Sequence, residues 1–326
     1  MKKTTSTLRR LVSLALSLTL AAALIPAQAA KTYDTIPNGT YIVSSRASEK
    51  MKLDMYGNYT GKAANAQVYQ TTPGNLTQQF KFTYNKDKSW YNINPMSNTG
   101  MALNAYAYSP KSGTNVNAWP KDTKDSTQNW VLEQVEGGYY VIRLAYNKNL
   151  ALTAAGTKNL SNVKLSKYTG SKSQQWKLTA IKAPGKSATV ISEDTMKALI
   201  KKVGVQKGNA AYTNRCAGVD VAYLYYWLHG KTTSVDASAL WTKVGGTCIW
   251  CSSKENLYSR MKTHLANGGP CILHVKSSAG QHWVVVRAYK DNTFYIADPW
   301  NGKLTTLDKS GYSLHGDLRV ILCQGK

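Results

Sequence analysis

QQFKFT (residues 78–83), QNWVLE (residues 128–133) and QQWKLT (residues 174–179) read as one passage written three times, at an offset near fifty residues. Each begins on glutamine, places an aromatic two residues later and then alternates side chains with the period of a strand. Three other landmarks keep step. Tyr41, Tyr91 and Tyr140 open short β-type runs; Asp54, Asn104 and Thr153 follow KL, AL and AL; Asn65, Asn115 and Asn162 precede a second strand-like run. Four markers in register over three copies make an internal repeat. No stretch of it has helical periodicity, and Gly, Asn and Lys punctuate it into short strands. A unit this small cannot bury its own apolar face, so the three close round one axis. Phe80, Trp130 and Trp176 are then the core they share.

The three Q-x-[W/F] copies resemble the ricin B-type β-trefoil lectins over residues 33–181. The resemblance implies an all-β domain with glycans or glycoproteins as partners. In that family an acidic residue of an early strand and an aromatic further on hold one sugar per copy. The carboxylate accepts from two hydroxyls while the ring covers the apolar side of the sugar. Carried over residue by residue, the first copy offers Asp54, Gln67 and Tyr69, and the second Asn104, Asn117 and Trp119. The third has Thr153 and Ser166, with Tyr168 displaced by two. An amide still bonds a hydroxyl but lacks the charge-assisted strength of a carboxylate. One or two working sites are therefore expected.

Outside the repeat the chain changes character. MKKTTSTLRR, the apolar run after it and Ala27-Gln28-Ala29 are the three parts of a secretory signal peptide over residues 1–29. A secreted, extracellular protein is expected, and no later run is long and apolar enough to span a bilayer. The formal net charge of +24 favours acidic partners in general. The lysines are scattered rather than blocked, which reads as a solvated basic surface, and nucleic acid is not an expected partner. All five cysteines lie beyond residue 215. In an exported chain most cysteines pair, so Cys248 is expected to bond Cys251 or another segment, and Cys271 to bond Cys323.

KAPGKSATV (residues 182–190) is a Pro/Gly/Ser linker, followed by a second domain over residues 191–326. SEDTMKALIKKVG predicts a helix capped by Ser192 and stopped by Gly204, and CAGVDVAYLYYWLHG predicts a buried helix from Cys216 to Gly230. DASALWTKVGG reads as a further short helix, and a Ser252/Glu255 capping box opens another. From Pro270 onward CILHV, HWVVVRAY, TFYIAD and LRVILC are strands. Helices first and an antiparallel sheet afterwards is α+β.

Within this domain GQHWVVVRAYKDNTFYIADPW (residues 280–300) places His282 at the rim of a buried strand. The hairpin through KDNT returns Asp298 toward the same rim. A carboxylate beside an imidazole fixes its tautomer and stabilises the imidazolium. Cys216 begins the most apolar helix, where free N–H groups and the helix dipole favour a thiolate. Cysteine, histidine and aspartate on these elements form the arrangement for nucleophilic acyl transfer.

NRCAGVDVAYLYYWLHG, GGPCILHVKSSAGQHWVVVRAY and YIADPWNG are similar to the C39-like branch of the papain-fold cysteine peptidases, from Val190 to Lys326. The resemblance implies a Cys216–His282–Asp298 triad hydrolysing peptide bonds without a cofactor or metal. It also implies an upstream glutamine in the oxyanion hole, for which Gln206 is the candidate and Asn209 and Asn214 are substitutes. Arg215 stands where the family usually has glycine. The expectation is a secreted cysteine peptidase targeted to glycans. Its alternatives are a carbohydrate-binding protein with an inactive peptidase-like domain, and a cell-wall amidase or transglutaminase using the same triad. Cys251 is the rival nucleophile. Cys248, Cys251, His264 and Cys271 do not space as a zinc set. His229, His264, His274 and His315 show no partner pattern, and Asp220 reads as a local hydrogen-bonding group.

Overall fold

The computed structural model describes residues 33–57, 60–236 and 241–326. The leader at residues 1–29, and residues 237–240 within DASALWTKVGG, lie outside the described residues. From Tyr33 to Lys326 the chain is one compact unit with separate cores in its two halves.

The first half has four strands per copy. They are β1 (Gly39–Ser45), β2 (Ser48–Met55), β3 (Ala66–Gln70) and β4 (Gln79–Asn85); β5 (Trp90–Pro95), β6 (Met101–Ala105), β7 (Val116–Pro120) and β8 (Trp130–Val135); and β9 (Tyr139–Leu144), β10 (Asn147–Ala154), β11 (Ser161–Lys167) and β12 (Trp176–Ala180). The outer pair of each copy forms a closed ring, β1–β4–β5–β8–β9–β12–β1, every neighbour antiparallel. The inner pairs β2–β3, β6–β7 and β10–β11 are three hairpins. Six barrel strands and three hairpins related by the sequence repeat are a β-trefoil.

The repeat markers supply the bonds that close it. Asn65 Nδ2–H donates to Asn162 Oδ1, Asn162 to Asn115, and Asn115 back to Asn65, each at 2.9 Å. The three copies are thus joined by a triangle of amides. Gln78, Gln128 and Gln174 each accept an N–H from the residue six or five before them and donate to a strand carbonyl, at 2.8–3.0 Å. Phe80, Trp130 and Trp176 are fully buried in one core. Trp130 and Trp176 each satisfy their indole N–H on a leucine carbonyl at 3.0 Å, as a buried indole requires.

The second half is α+β. Its helices are α1 (Glu193–Val203), α2 (Cys216–His229) and α3 (Lys254–Ala266). Its strands are β13 (Ser187–Thr189), β14 (Thr247–Trp250), β15 (Cys271–Ser277), β16 (Gly280–Lys290), β17 (Thr293–Ala297), β18 (Leu304–Thr306), β19 (Ser313–Leu314) and β20 (Arg319–Leu322). The sheet runs β14–β20–β15–β16–β17–β18, with β13 on β16 and β19 on β15. Thus residues 187–189, read as linker, add a short strand to this sheet.

Ser192 caps α1 through Thr195 N–H and Gly204 ends it, while Gly230 ends α2 at a φ of +68°. The cap of α3 is Ser253, which accepts from Asn256 N–H, one residue later than the expected Ser252. Residues 241–244 form a 3-10 turn instead of a helix. Side chains alternate across β15, so α1 and α2 cover the sheet face of Ile272, and α3 covers that of Cys271 and Leu273.

That alternation corrects the disulfide expectation. Cys271 faces α3 and Cys323 faces α2, so these neighbours lie on opposite sides of the sheet, and all five cysteines are free. β14 runs into the segment before α3, a strand the sequence did not announce. Cys248 lies within it, three residues before Cys251.

Candidate active site and sugar sites

Cys216 is the first residue of α2, and Arg215 before it makes no side-chain cap. The first-turn N–H groups are therefore not taken up by a side-chain cap. Arg215 sends its guanidinium to Val235 O at 2.8 Å, so the bulk where the family has glycine holds a neighbouring loop. Gly218 makes this packing possible: a Cβ there would overlap the Asp236 carbonyl.

The structure brings the three predicted residues together. The β16–β17 hairpin pairs Val285 with Ala297, which sets Asp298 beside the start of β16. His282 Nε2 and Asp298 Oδ1 are 2.8 Å apart. With Nε2 engaged, Nδ1 is the nitrogen left for the Cys216 thiol, which is hydrogen-bonded to this imidazole. The backbone N–H groups of Ala217 and Trp283 also point at the sulfur. Asp298 Oδ1 accepts a second bond from Trp300 N–H at 2.9 Å, and Oδ2 accepts the Tyr312 hydroxyl at 2.7 Å.

His282 and Asp298 are both buried, and the low dielectric there strengthens each of these bonds. Burial alone would raise the Cys216 thiol, but the bond and charge of His282 and the two backbone N–H groups outweigh it, so the thiol sits below its ordinary value. Burial likewise opposes charge on His282, yet its bonds to Asp298 and Cys216 carry it from 6.5 up to about 9. The Asp298 carboxyl would be raised by burial, but donors from His282, Tyr312 and Trp300 hold it low. The thiol and carboxyl are thus lowered and the imidazole between them raised, a set of shifts that all favour the charged row.

Tyr312 was not found in the sequence. It arrives from the loop after β18, and no local pattern marks it. Asp220 stands one helical turn after Cys216, on the same face of α2. Contrary to expectation it forms no bond: both carboxyl oxygens are buried without a partner among the described residues. Burial, and then the Cys216 and Asp298 charges, push its carboxyl far above the ordinary range, which favours the neutral form.

Of the oxyanion candidates, Gln206 is buried and stapled beside the triad: Gln206 N–H donates to Pro299 O at 2.9 Å and Lys207 N–H to Trp300 O at 2.7 Å. Asn209 spends its side chain on Ala211 N–H at 3.1 Å. Asn214 adopts a φ of +55° two residues before the cysteine.

The remaining cysteines and histidines lie elsewhere. Burial raises the thiols of Cys248 and Cys251, and among the described residues neither has an imidazole partner. His264 faces Cys323 O at 2.7 Å and is held neutral by burial, down to about 4. His274 and His315 were left without partners by the sequence, yet both turn Nδ1 to Asp317, His274 at 2.7 Å. Arg319 occupies the other Asp317 oxygen at 2.6 Å. The only sequence signal for this cluster is the H-x-D spacing of His315 and Asp317.

In the first trefoil copy Asp54 lies opposite Gln67 across the β2–β3 hairpin. Gln67 Nε2–H donates to Asp54 Oδ2 at 2.8 Å, and Thr77 Oγ1–H to Oδ1 at 2.7 Å. Burial raises this carboxyl against those bonds. The second copy repeats the geometry fifty residues on: Asn104 accepts from Thr127 at 2.7 Å and donates to Asn117 at 3.0 Å. Thr77 and Thr127 were missed, although each directly precedes the repeat glutamine. Trp119 flanks the second site with Tyr106 at 5.5 Å and Lys62 over its ring at 4.5 Å. In the third copy Thr153 pairs with Lys164, and Ser166 takes the aromatic slot, so no ring stands there.

Residues 189–314 match the Peptidase_C39 like family. No curated protein sequence matches the chain significantly. Among solved structures, the designed threefold-symmetric protein ThreeFoil is similar at 28% identity, with 44% of this chain and 99% of that one covered and a TM-score of 0.40. The Polyporus squamosus lectin, solved with the epitope Neu5Acα2-6Galβ1-4GlcNAc, is similar at 13% identity over 83% of this chain and 95% of its own, with a TM-score of 0.41. The Macrolepiota procera ricin B-like lectin, in complex with lactose, is similar at 18% identity over 45% and 99%, with a TM-score of 0.37.

Proposed function

We propose that a chain joining a β-trefoil lectin-like domain to a C39-like peptidase domain is a secreted cysteine peptidase that its trefoil directs to glycans. The observation that carries the reading is the bonded row Cys216–His282–Asp298, built across a helix N-terminus and a hairpin. The Cys216 thiolate attacks a peptide carbonyl carbon and forms a C–S bond. The oxyanion is held by the Cys216 backbone N–H and the Gln206 amide. As the C–N bond breaks, the His282 imidazolium gives its proton to the leaving amine. His282 then takes a proton from water, whose oxygen displaces the sulfur and frees the carboxylic acid. Asp298 keeps Nε2–H oriented throughout, and no cofactor enters. Asp54, Gln67 and Tyr69, with a weaker set at Asn104, Asn117 and Trp119, supply the sugar contacts. Tethering raises the local substrate concentration without new contacts at the triad.

The test begins with the thiol. Folded protein is alkylated with iodoacetamide across pH, and the modified cysteine is mapped by mass spectrometry. Cys216 should label first and well below the free-thiol value of about 8.5, and His282→Ala should abolish the advantage. Wild type and Cys216→Ala are then compared on a peptide library in ¹⁸O-water. New C-termini carrying ¹⁸O only with wild type support hydrolysis. Amine incorporation instead would make the domain a transferase. An inert Cys216 leaves only the lectin.

A further inference from the structure

The cavity at the first sugar site belongs to both halves of the chain. It encloses about 520 Å³; Asp54, Gln67 and Thr77 line one side, and Thr242, Gly245, Gly246 and Thr247 of the second half line the other. That second wall is fixed backbone. Gly246 N–H donates to Trp241 O at 2.8 Å and Gly245 N–H to Thr242 O at 3.1 Å. A Cβ on Gly246 would press to 2.8 Å from Ile321 and 2.9 Å from Trp241 O. On the trefoil side Gly74, at a φ of +66°, lies so close to Leu322 that a Cβ would overlap it. Residues of both halves at this cavity thus pack against β20, through Ile321 and Leu322.

Resting on the sugar reading of the first copy, we propose that this is a composite site. It takes a neutral oligosaccharide of two or more residues, the first on Asp54 and Gln67 and the next against Thr242 and Thr247. The size argues for more than one residue. The volume falls in the roughly 300–1,000 Å³ range of small-molecule sites and exceeds what a single pyranose fills. The lining argues for a neutral ligand. In a chain of net charge +24, no lysine, arginine or histidine lines this cavity among the described residues, and Asp54 is its one carboxylate. A sialylated or uronic saccharide would bring negative charge to a wall with no cation to meet it. Threonine hydroxyls and backbone groups instead suit sugar hydroxyls, which both donate and accept.

The experiment uses the full mature protein on a printed array of neutral and sialylated mono-, di- and trisaccharides, followed by calorimetry on the strongest spot. Wild type should favour neutral di- or trisaccharides over the matching monosaccharide, and Asp54→Ala should abolish that binding. Thr242→Val and Thr247→Val keep the shape and remove one hydroxyl each. Each should weaken the oligosaccharide by about three- to tenfold, the worth of one hydrogen bond, and leave the monosaccharide unchanged. If no spot depends on Asp54, the first-copy reading falls and this proposal with it. If Asp54-dependent binding ignores both threonines, or prefers sialylated glycans, the composite site is refuted while the trefoil remains a lectin.

Discussion

Replacing Asp298 with asparagine tests the origin of the charge at the active site. His282 rises from 6.5 to about 9 against its own burial, with the Asp298 bond the largest favourable cause and the Cys216 bond next. At about 1.4 kcal/mol per pH unit, that rise is a preference for imidazolium of about 3 kcal/mol. Asparagine keeps an oxygen that accepts from Nε2–H but removes the charge, and a neutral bond is roughly half as strong as a charge-assisted one. The Cys216 contribution stays. The variant should therefore lose about 1.5–2.5 kcal/mol of the preference, and His282 should titrate near roughly 7–8.

The direction is fixed by the cause: a group raised by an anion falls when the anion goes, so imidazolium is lost from the alkaline side. NMR titration of the imidazole Cε1–H reads this without any substrate, the five histidines being few enough to assign by single variants. The alkaline limb of peptidase activity should move down with it, and Cys216 alkylation at pH 6 should slow. An inflection that stays near 9 in Asp298→Asn would mean that Cys216 or the surrounding backbone, not the carboxylate, holds the proton. A wild-type inflection near 6.5 would remove the ion pair altogether.

Two further substitutions test packing rather than charge. Gly218→Ala forces a Cβ into the Asp236 carbonyl; overpacking of this kind costs about 1–3 kcal/mol, read as a lower melting temperature together with slower Cys216 labelling, because α2 must shift. Asn115→Ala removes two bonds of the amide triangle and leaves Asn65 Oδ1 and Asn162 Nδ2 without those partners. A loss of about 1–3 kcal/mol should appear in denaturant unfolding of the trefoil, with the C39-like domain's labelling unchanged.

Much of this was legible because the relevant interactions are local or periodic. The trefoil followed from markers fifty residues apart, since each copy solves the same packing problem, and α1 and α2 were written in Ser192, Gly204 and Gly230. His282 and Asp298 could be paired because one hairpin joins them. Tyr312, the cavity wall at Thr242 and Thr247, and the His274–Asp317–His315 cluster depend on which strands become neighbours, and no local spacing encodes that. Asp220 was misread for a related reason. A helix carboxylate is ordinarily solvated or bonded nearby, and only the packed structure reveals that the surroundings of Asp220 supply neither.

The amide triangle also bears on how the three copies of such a repeat can diverge. Asn65, Asn115 and Asn162 pass their bonds round in one sense, each giving to one copy and receiving from the other. No copy can alter its member without undoing two neighbours, so the axis is held in common. The rim carries no such obligation: its key position is Asp54 in one copy, Asn104 in the next and Thr153 in the last. The duplicated units are bound to one another at the centre and released from one another at the edge. Such a chain can shed or change its recognition sites one at a time while its scaffold stays threefold.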